Sequence, residues 1–186
     1  MEAIPTKIEG VYIIKPKVFK DQRGYFFESY SKRDFETAIG KVDFVQDNQS
    51  CSSKGVIRGL HFQKDPHSQA KLVRCVKGAV RDVAVDLRQG SPTYGQFVAV
   101  ELTEDNHLEF FIPKGFAHGF EVLSDIAVFQ YKCDDYYHPE TEGGIDPFDP
   151  ELNIDWVTEQ KDAIISDKDK KHPKLSEFIS PFIFKK

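Results

Sequence analysis

Short apolar runs rich in Val, Ile and Phe, each closed by a turn signal, dominate this chain and leave little choice of fold class. Strands are expected at residues 10–14, 24–29, 44–50, 57–62, 71–77, 80–87, 96–102, 109–112, 119–123 and 126–133. Gly78, Gly90-Ser91-Pro92 and Glu104-Asp105-Asn106 punctuate them. Many short strands at such close spacing bury their apolar faces only as a sandwich or barrel, so the chain is all-β. One short N-terminal helix is expected at 32–39, with Ser31 as its cap, Phe35 and Ile39 one turn apart, and Gly40 ending it. Residues 138–155 hold three Pro and two Gly and are expected to form an ordered loop. The charged C-terminal tail from Trp156 has room for short helical turns, one of them near 162–166. Residues 1–186 carry no internal repeat or low-complexity tract and are expected to form a single domain.

Bulk properties narrow the functional classes. A chain of 186 residues that is 40% hydrophobic and 30% charged has the composition of a globular protein with a sizeable core. No apolar run approaches the roughly 20 residues of a membrane span. The start, MEAIPTKIEG, lacks the layout of a signal peptide, so a cytoplasmic protein with no membrane partner is expected. Cys51, Cys75 and Cys133 are odd in number and never in a CxxC pair, which fits reduced thiols and argues against a zinc knuckle. The net charge of −5 argues against nucleic acid as a partner. Yet residues 54–81 carry seven bases against one acid, whereas 134–155 carry eight acids and no Lys or Arg. A local basic strip on an acidic protein suits a small anionic ligand.

The chemistry concentrates in residues 55–74, GVIRGLHFQKDPHSQAKLVR. Arg58, His61, Lys71 and Arg74 stand on two short strands among Ile57, Leu60, Phe62, Leu72 and Val73. An imidazole and an ammonium among such neighbours must face a polar cavity or go unsatisfied in a core. Strict alternation puts Arg58 and His61 on opposite faces of their strand. Gly59 between them marks a bulge or twist that re-aims one of them.

Two patterns suggest a cupin-like double-stranded β-helix, a jelly-roll barrel. One is Gly59-Leu60-His61-Phe62-Gln63 followed by Lys71; the other is Pro113-Lys114-Gly115-Phe116-Ala117-His118 entering a strand. Metal-binding cupins place a second His where Gln63 stands and a carboxylate near Lys71. A fixed ammonium and too few ligands make a poor cation site, so no metal and no cofactor is expected. GxGxxG, GxxxxGK[ST] and GxSxG are all missing, which leaves redox, phosphoryl-transfer and serine-nucleophile chemistry unsupported.

What remains is acid–base catalysis by side chains. His61 is the natural general base, and Tyr131, on another strand, is a candidate acid. A carboxylate is needed to orient His61 and stabilise its charged form. Asp82 and Asp169 both qualify, and spacing does not choose between them.

Across nearly its whole length the chain resembles the dTDP-4-dehydrorhamnose 3,5-epimerases. The matching stretches are Asp21-Gln22-Arg23-Gly24-Tyr25-Phe26-Phe27-Glu28, Phe44-Val45-Gln46-Asp47-Asn48 and the segment from Gly55 to Gln63. They continue through Gln69–Arg74, Asp82–Arg88, Pro113–Phe120, Tyr131-Lys132 and Ser166-Asp167-Lys168-Asp169. The resemblance implies a metal-free, cofactor-free enzyme that inverts C3 and C5 of a dTDP-4-keto-6-deoxyglucose. It makes His61 the base, Asp169 its carboxylate partner, Tyr131 the acid, and Lys71 the charge near the C4 oxygen. It further implies that Arg23, Glu28, Gln46, Asp47, Asn48, Arg58, Lys71, His118, Glu142 and Lys168 bind the nucleotide-sugar. A homodimer is implied too, in which the strand near Arg23–Glu28 reaches the partner's site. Rival readings are a single-carbon epimerase or isomerase of a related sugar nucleotide, a catalytically silent sugar-nucleotide-binding cupin, and a metal-dependent cupin oxygenase.

Overall fold

Two antiparallel sheets face one another and carry nearly all the strand residues of the chain. A computed structural model describes residues 1–185. Five short elements open the chain: β1 (Glu2–Pro5), β2 (Tyr12–Lys15), β3 (Phe19–Asp21), β4 (Gly24–Phe26) and α1 (Lys32–Ala38). The strands β5 (Gln46–Ser53), β6 (Ile57–Gln63), β7 (Lys71–Lys77), β8 (Ala79–Asp86) and β9 (Phe97–Thr103) follow. β10 (Glu109–Ile112), β11 (Phe116–Val122), β12 (Ile126–Cys133) and β13 (Glu142–Gly144) complete the set. The six-stranded sheet runs β1-β2-β10-β7-β12-β5 and the five-stranded sheet β13-β6-β11-β8-β9. This is the cupin-like, jelly-roll architecture expected from the two motif patterns around His61 and His118.

The pleat explains the packing, because alternate residues of each strand serve different cores. Val73, Phe110 and Phe129 from the six-stranded sheet meet Val80, Ala84 and Phe120 from the five-stranded sheet in the central cluster. On β8 the alternate residues Val83 and Val85 turn to the outer face. There they pack under the C-terminal tail through Leu152, Trp156, Phe178 and Phe182. The tail is thus a covering layer, with Trp156, Phe178 and Phe182 packed on the sheet while Val157 and Ile179 stay exposed. α1 covers the other outer face by inserting Phe35 against Ile14, Leu72 and Phe111. Each fully buried Phe side chain of this kind contributes about 1.5–3 kcal/mol.

Local expectations hold in most places and fail in instructive ones. Ser31 caps α1, its Oγ accepting from the Asp34 amide at 3.4 Å, and Gly40 follows with φ +130°. The strand expected at 24–29 stops at Phe26 and pairs with β3 as a separate hairpin. The loop expected at 138–155 contributes β13, which pairs with β6 opposite His61, Phe62 and Gln63. No helical turn forms at 162–166; Ile164 instead bridges Val56, and 3-10 turns lie at Asp169–Lys171 and Leu175–Glu177. Backbone pairing won there: Ile164 donates to the Gly55 carbonyl and accepts from the Ile57 amide, which ties the tail to the edge of β6. Among the described residues no helix is long and apolar enough to cross a membrane.

Candidate active site

β6 resolves the geometric conflict between Arg58 and His61. Its pairing with β11 puts His118 opposite His61 and Phe120 opposite Arg58, so three steps on β6 face two on β11. The extra residue is a bulge that turns both side chains toward one cavity. Gly59 makes it possible: its φ is +127°, and a Cβ there would lie 2.6 Å from Gly119 Cα.

The cavity, about 280 Å³, opens between the two sheets. Arg58, His61, His118 and Phe120 line it from the five-stranded sheet; Asn48, Gln49, Ser50, Lys71 and Tyr131 line it from the six-stranded sheet. His61 and Tyr131 therefore stand on opposite walls.

Behind His61 the tail supplies Asp169, 3% exposed, whose Oδ1 lies 2.7 Å from His61 Nε2. The Gly59 amide donates to its other oxygen at 3.4 Å, and Ser166 Oγ accepts the Asp169 amide at 3.1 Å. Burial opposes ionisation of Asp169, but the His172 and His61 imidazoles and the Gly59 amide outweigh it and hold the carboxyl well below the usual carboxylate range. A carboxylate only accepts, so His61 Nε2 carries the proton, and Nδ1 is the nitrogen with a free lone pair. Asp82 belongs to a different pair: its oxygens lie 3.0 and 3.1 Å from His118 Nε2. Burial pushes Asp82 up and His118 down, so neither takes on charge readily.

The remaining polar groups have distinct electrostatics. Burial of its ammonium pushes Lys71 down, and the charges of Asp82 and Glu142 partly offset that. Lys71 Nζ sits 5.8 Å from the Tyr131 ring centre. Burial pushes the Tyr131 phenol up to about 12, so it keeps its proton at neutral pH and is available as a donor. Glu142, at the rim, takes a hydrogen bond from Tyr137 Oη at 2.7 Å and is paired with Lys168. Burial raises the Glu142 carboxyl, but the Lys168 and Tyr137 hydrogen bonds prevail and lower it.

Not every expected residue reaches the cavity. Gln46 is one step removed, its Nε2 donating to Asn48 Oδ1 at 3.1 Å. The Asp47 side chain is turned to the other face of the sheet, where Lys132 Nζ holds it at 3.0 Å. Alternation along β5 is the reason, since Asn48 takes the inward position. Arg23 is exposed at the β3–β4 turn and paired with Asp21, and Glu28 lines a separate cavity beside α1. Within one chain neither comes near His61. Gln63, where a metal-binding cupin would have a ligand, clamps a loop instead: its amide donates to the His67 and Tyr136 carbonyls and accepts from the His138 amide. Two residues at the site escaped the sequence reading, Tyr137 and His172. His172 lies 3.5 Å from Asp169 Oδ1, and its position three residues after Asp169 in a 3-10 turn was the available signal.

A cupin-like fold whose cavity sets a His–Asp pair on one wall and a phenol and an ammonium on the other carries the groups that an isomerase needs to move protons. Comparison with known proteins specifies which kind. The family model for dTDP-4-dehydrorhamnose 3,5-epimerase matches residues 5–177, and the chain belongs to that family. It is 53% identical to the dTDP-4-dehydrorhamnose 3,5-epimerase of Escherichia coli (strain K12), over 96% of this chain and 97% of that one. The crystal structure of the epimerase from Elizabethkingia anophelis superposes with a TM-score of 0.91 at 50% identity, covering 95% and 97% of the two chains. A dTDP-6-deoxy-D-glucose-3,5-epimerase from Legionella pneumophila, solved with dTDP-4-keto-L-rhamnose, gives a TM-score of 0.94 at 47% identity, covering 99% of each chain.

Proposed function

We propose that this chain converts dTDP-4-dehydro-6-deoxy-D-glucose to dTDP-4-dehydro-L-rhamnose by enolisation at C3 and C5, a step toward dTDP-L-rhamnose and cell-surface polysaccharide. The observation that carries the reading is the placement of His61 and Tyr131 on opposite walls of one cavity. Inversion needs a proton taken from one face of the ring and another delivered to the opposite face. His61 Nδ1 takes the proton, and Asp169 stabilises the resulting imidazolium through Nε2. Lys71 faces the C4 oxygen as it becomes an enolate, supplying positive charge where negative charge develops. Tyr131 then protonates the carbon from the far side. C3 and C5 flank the same carbonyl, so one such pair serves both.

Arg58 holds the diphosphate by charge-assisted hydrogen bonds, with Asn48, His118, Glu142 and Lys168 around the sugar and base and Gln46 supporting Asn48 from behind; the Asp47 side chain, turned to the other face, takes no part. Binding energy at that remote end positions the ring for proton transfer. The reaction needs no metal and no cofactor in this scheme, since every proton and charge comes from a side chain. Residues 1–186 act as one epimerase domain. Cys51, Cys75 and Cys133 are free thiols, which supports a reducing compartment, the cytoplasm.

The enzyme works as a homodimer in which β3 and β4 cross to the partner and bring Arg23 and Glu28 to its cavity. Exposure supports this: Phe19, Tyr25 and Phe26 of that hairpin are 53%, 58% and 68% exposed, and it pairs with neither sheet. Turnover of dTDP-4-keto-6-deoxyglucose, coupled to a nicotinamide-dependent 4-reductase in deuterated water, tests the reading. Label at both C3 and C5 is expected. Label at one carbon only overturns the double inversion, and loss of activity on chelation, restored by one divalent ion, overturns metal independence.

A further inference from the structure

We propose that His61, Asp169 and His172 form a binding site for a single divalent cation of borderline softness, such as zinc, and that its occupation switches the enzyme off. The ligand atoms of the three residues all lie within 4.8 Å of one another. Both Nε2 atoms converge on Asp169 Oδ1, at 2.7 Å from His61 and 3.5 Å from His172. A tetrahedral zinc with bonds of about 2.0–2.1 Å places its ligands about 3.3 Å apart, between those two separations.

His172 points to the ligand independently. Its side chain is 10% exposed, and its buried Nε2 lies 3.5 Å from Asp169 Oδ1 without reaching good hydrogen-bond geometry. A buried ring nitrogen left in that state is uncommon and costs stability unless something occupies it. Its seat is shaped closely around it: a Cβ on Gly144 would come within 2.4 Å of that same nitrogen. The two imidazoles meet at 75° with ring centres 5.7 Å apart, so their in-plane lone pairs can converge on one point. A second His-rich cluster, His67, Asp135 and His138, lacks this property. Its rings stack at 11° and 3.5 Å, so their lone pairs run side by side.

The consequence follows from imidazole chemistry. A cation on Nε2 of His61 takes the position of the proton now shared with Asp169. In both His61 and His172 the Nε2 proton moves to Nδ1, so no net proton is released, and each ring becomes the Nδ1–H tautomer. Nδ1 of His61 then has no lone pair to accept a proton from substrate. Asp169, already anionic, supplies the negative charge, and the Lys168 ammonium is engaged by Glu142.

The test uses the full-length protein washed with chelator and titrated with zinc by calorimetry, with cobalt as a visible-absorption reporter and turnover read from the same samples. One cation per chain, inhibition reversed by chelator, and a cobalt spectrum of nitrogen and oxygen ligation are expected. His172→Ala and the bulkier His172→Gln should each weaken zinc binding by about tenfold or more, with circular dichroism confirming the fold. His67→Ala should leave the zinc affinity of the inhibitory site as it is. No zinc binding, or an affinity that both folded His172 variants leave unchanged, overturns the site. The inhibition rests on His61 being the base. Binding that needs His172 but leaves turnover intact keeps the cation site and overturns that assignment instead.

Discussion

His61 and Asp169 are 108 residues apart in the chain, and their side chains meet at 2.7 Å. The contact exists because the tail bridges Val56 through Ile164 just before β6 and then folds Asp169 into a 3-10 turn behind it. Asp169→Asn keeps the shape but puts an amide where an anion stood, so His61 is no longer held in the Nε2–H tautomer. Turnover should fall by about 10²–10⁴-fold, and His61→Ala should fall at least as far while dTDP affinity, measured by calorimetry, is largely kept. An Asp169→Asn enzyme within a few-fold of wild type would show that the carboxylate does not support the base.

Tyr131→Phe separates the two halves of the reaction. The ring stays in the wall, so stability should change by only about 1 kcal/mol. His61 can still remove a proton and return it to the same face. The variant should therefore exchange solvent deuterium into C3 or C5 with configuration retained, while inverted product falls by roughly 10²-fold or more. NMR of the recovered sugar nucleotide reads both. Normal inversion by the folded variant would assign the acid elsewhere.

Glu109 makes stability depend on pH. It is 2% exposed, and burial pushes its carboxyl up to about 8, with Arg74 4.0 Å away lowering it only in part. Between the ordinary carboxylate range and about pH 8 the folded chain keeps a proton that the unfolded chain has released. Stability from this group is thus complete at low pH and declines as pH rises through that window, by at most about 1.4 kcal/mol per pH unit. Glu109→Gln should remove the dependence, so the variant's gain in melting temperature over wild type should grow from pH 5 to pH 8. A gain that stays flat with pH would mean that the carboxyl is ionised in the folded state.

Asp169 has the opposite sign. Its folded-state carboxyl is held low, so the stability it contributes is present above the ordinary carboxylate range and is lost as pH falls through and below it. In acid titrations followed by fluorescence, Asp169→Asn should flatten the wild-type decline that begins near pH 4. An unaltered acid limb in the variant would count against the lowered Asp169 carboxyl.

Gly59→Ala probes the bulge itself. The new methyl would meet Gly119 Cα at 2.6 Å and the His118 carbonyl at 2.8 Å, on a residue whose φ is +127°. Backbone strain and overpacking each cost about 1–3 kcal/mol, so the urea midpoint should fall well below that of wild type. Activity should fall with it, since Arg58 and His61 share the cavity only through this bulge. A variant as stable and active as wild type would show that the strand tolerates another path.

Strand positions, the capped helix and the chemistry of residues 55–74 were readable from the chain because they rest on local rules: a period of two, turn residues, and the cost of burying charge among apolar neighbours. Those rules act over a few residues, so they placed His61, Lys71 and Tyr131 on strands without saying which faces would meet. The tertiary structure decided the rest. Only the pairing of β6 with β11 shows that the bulge at Gly59 turns Arg58 and His61 the same way. Only the docking of the tail assigns Asp169 to His61 and brings His172 to the same oxygen, and only the pairing of β8 with β11 assigns Asp82 to His118. The exposed aromatic hairpin carrying Arg23 joins neither sheet by hydrogen bonds, for a related reason. A short strand pair buries too little of its own surface to choose a neighbour, so what it packs against is set by surfaces outside its own sequence.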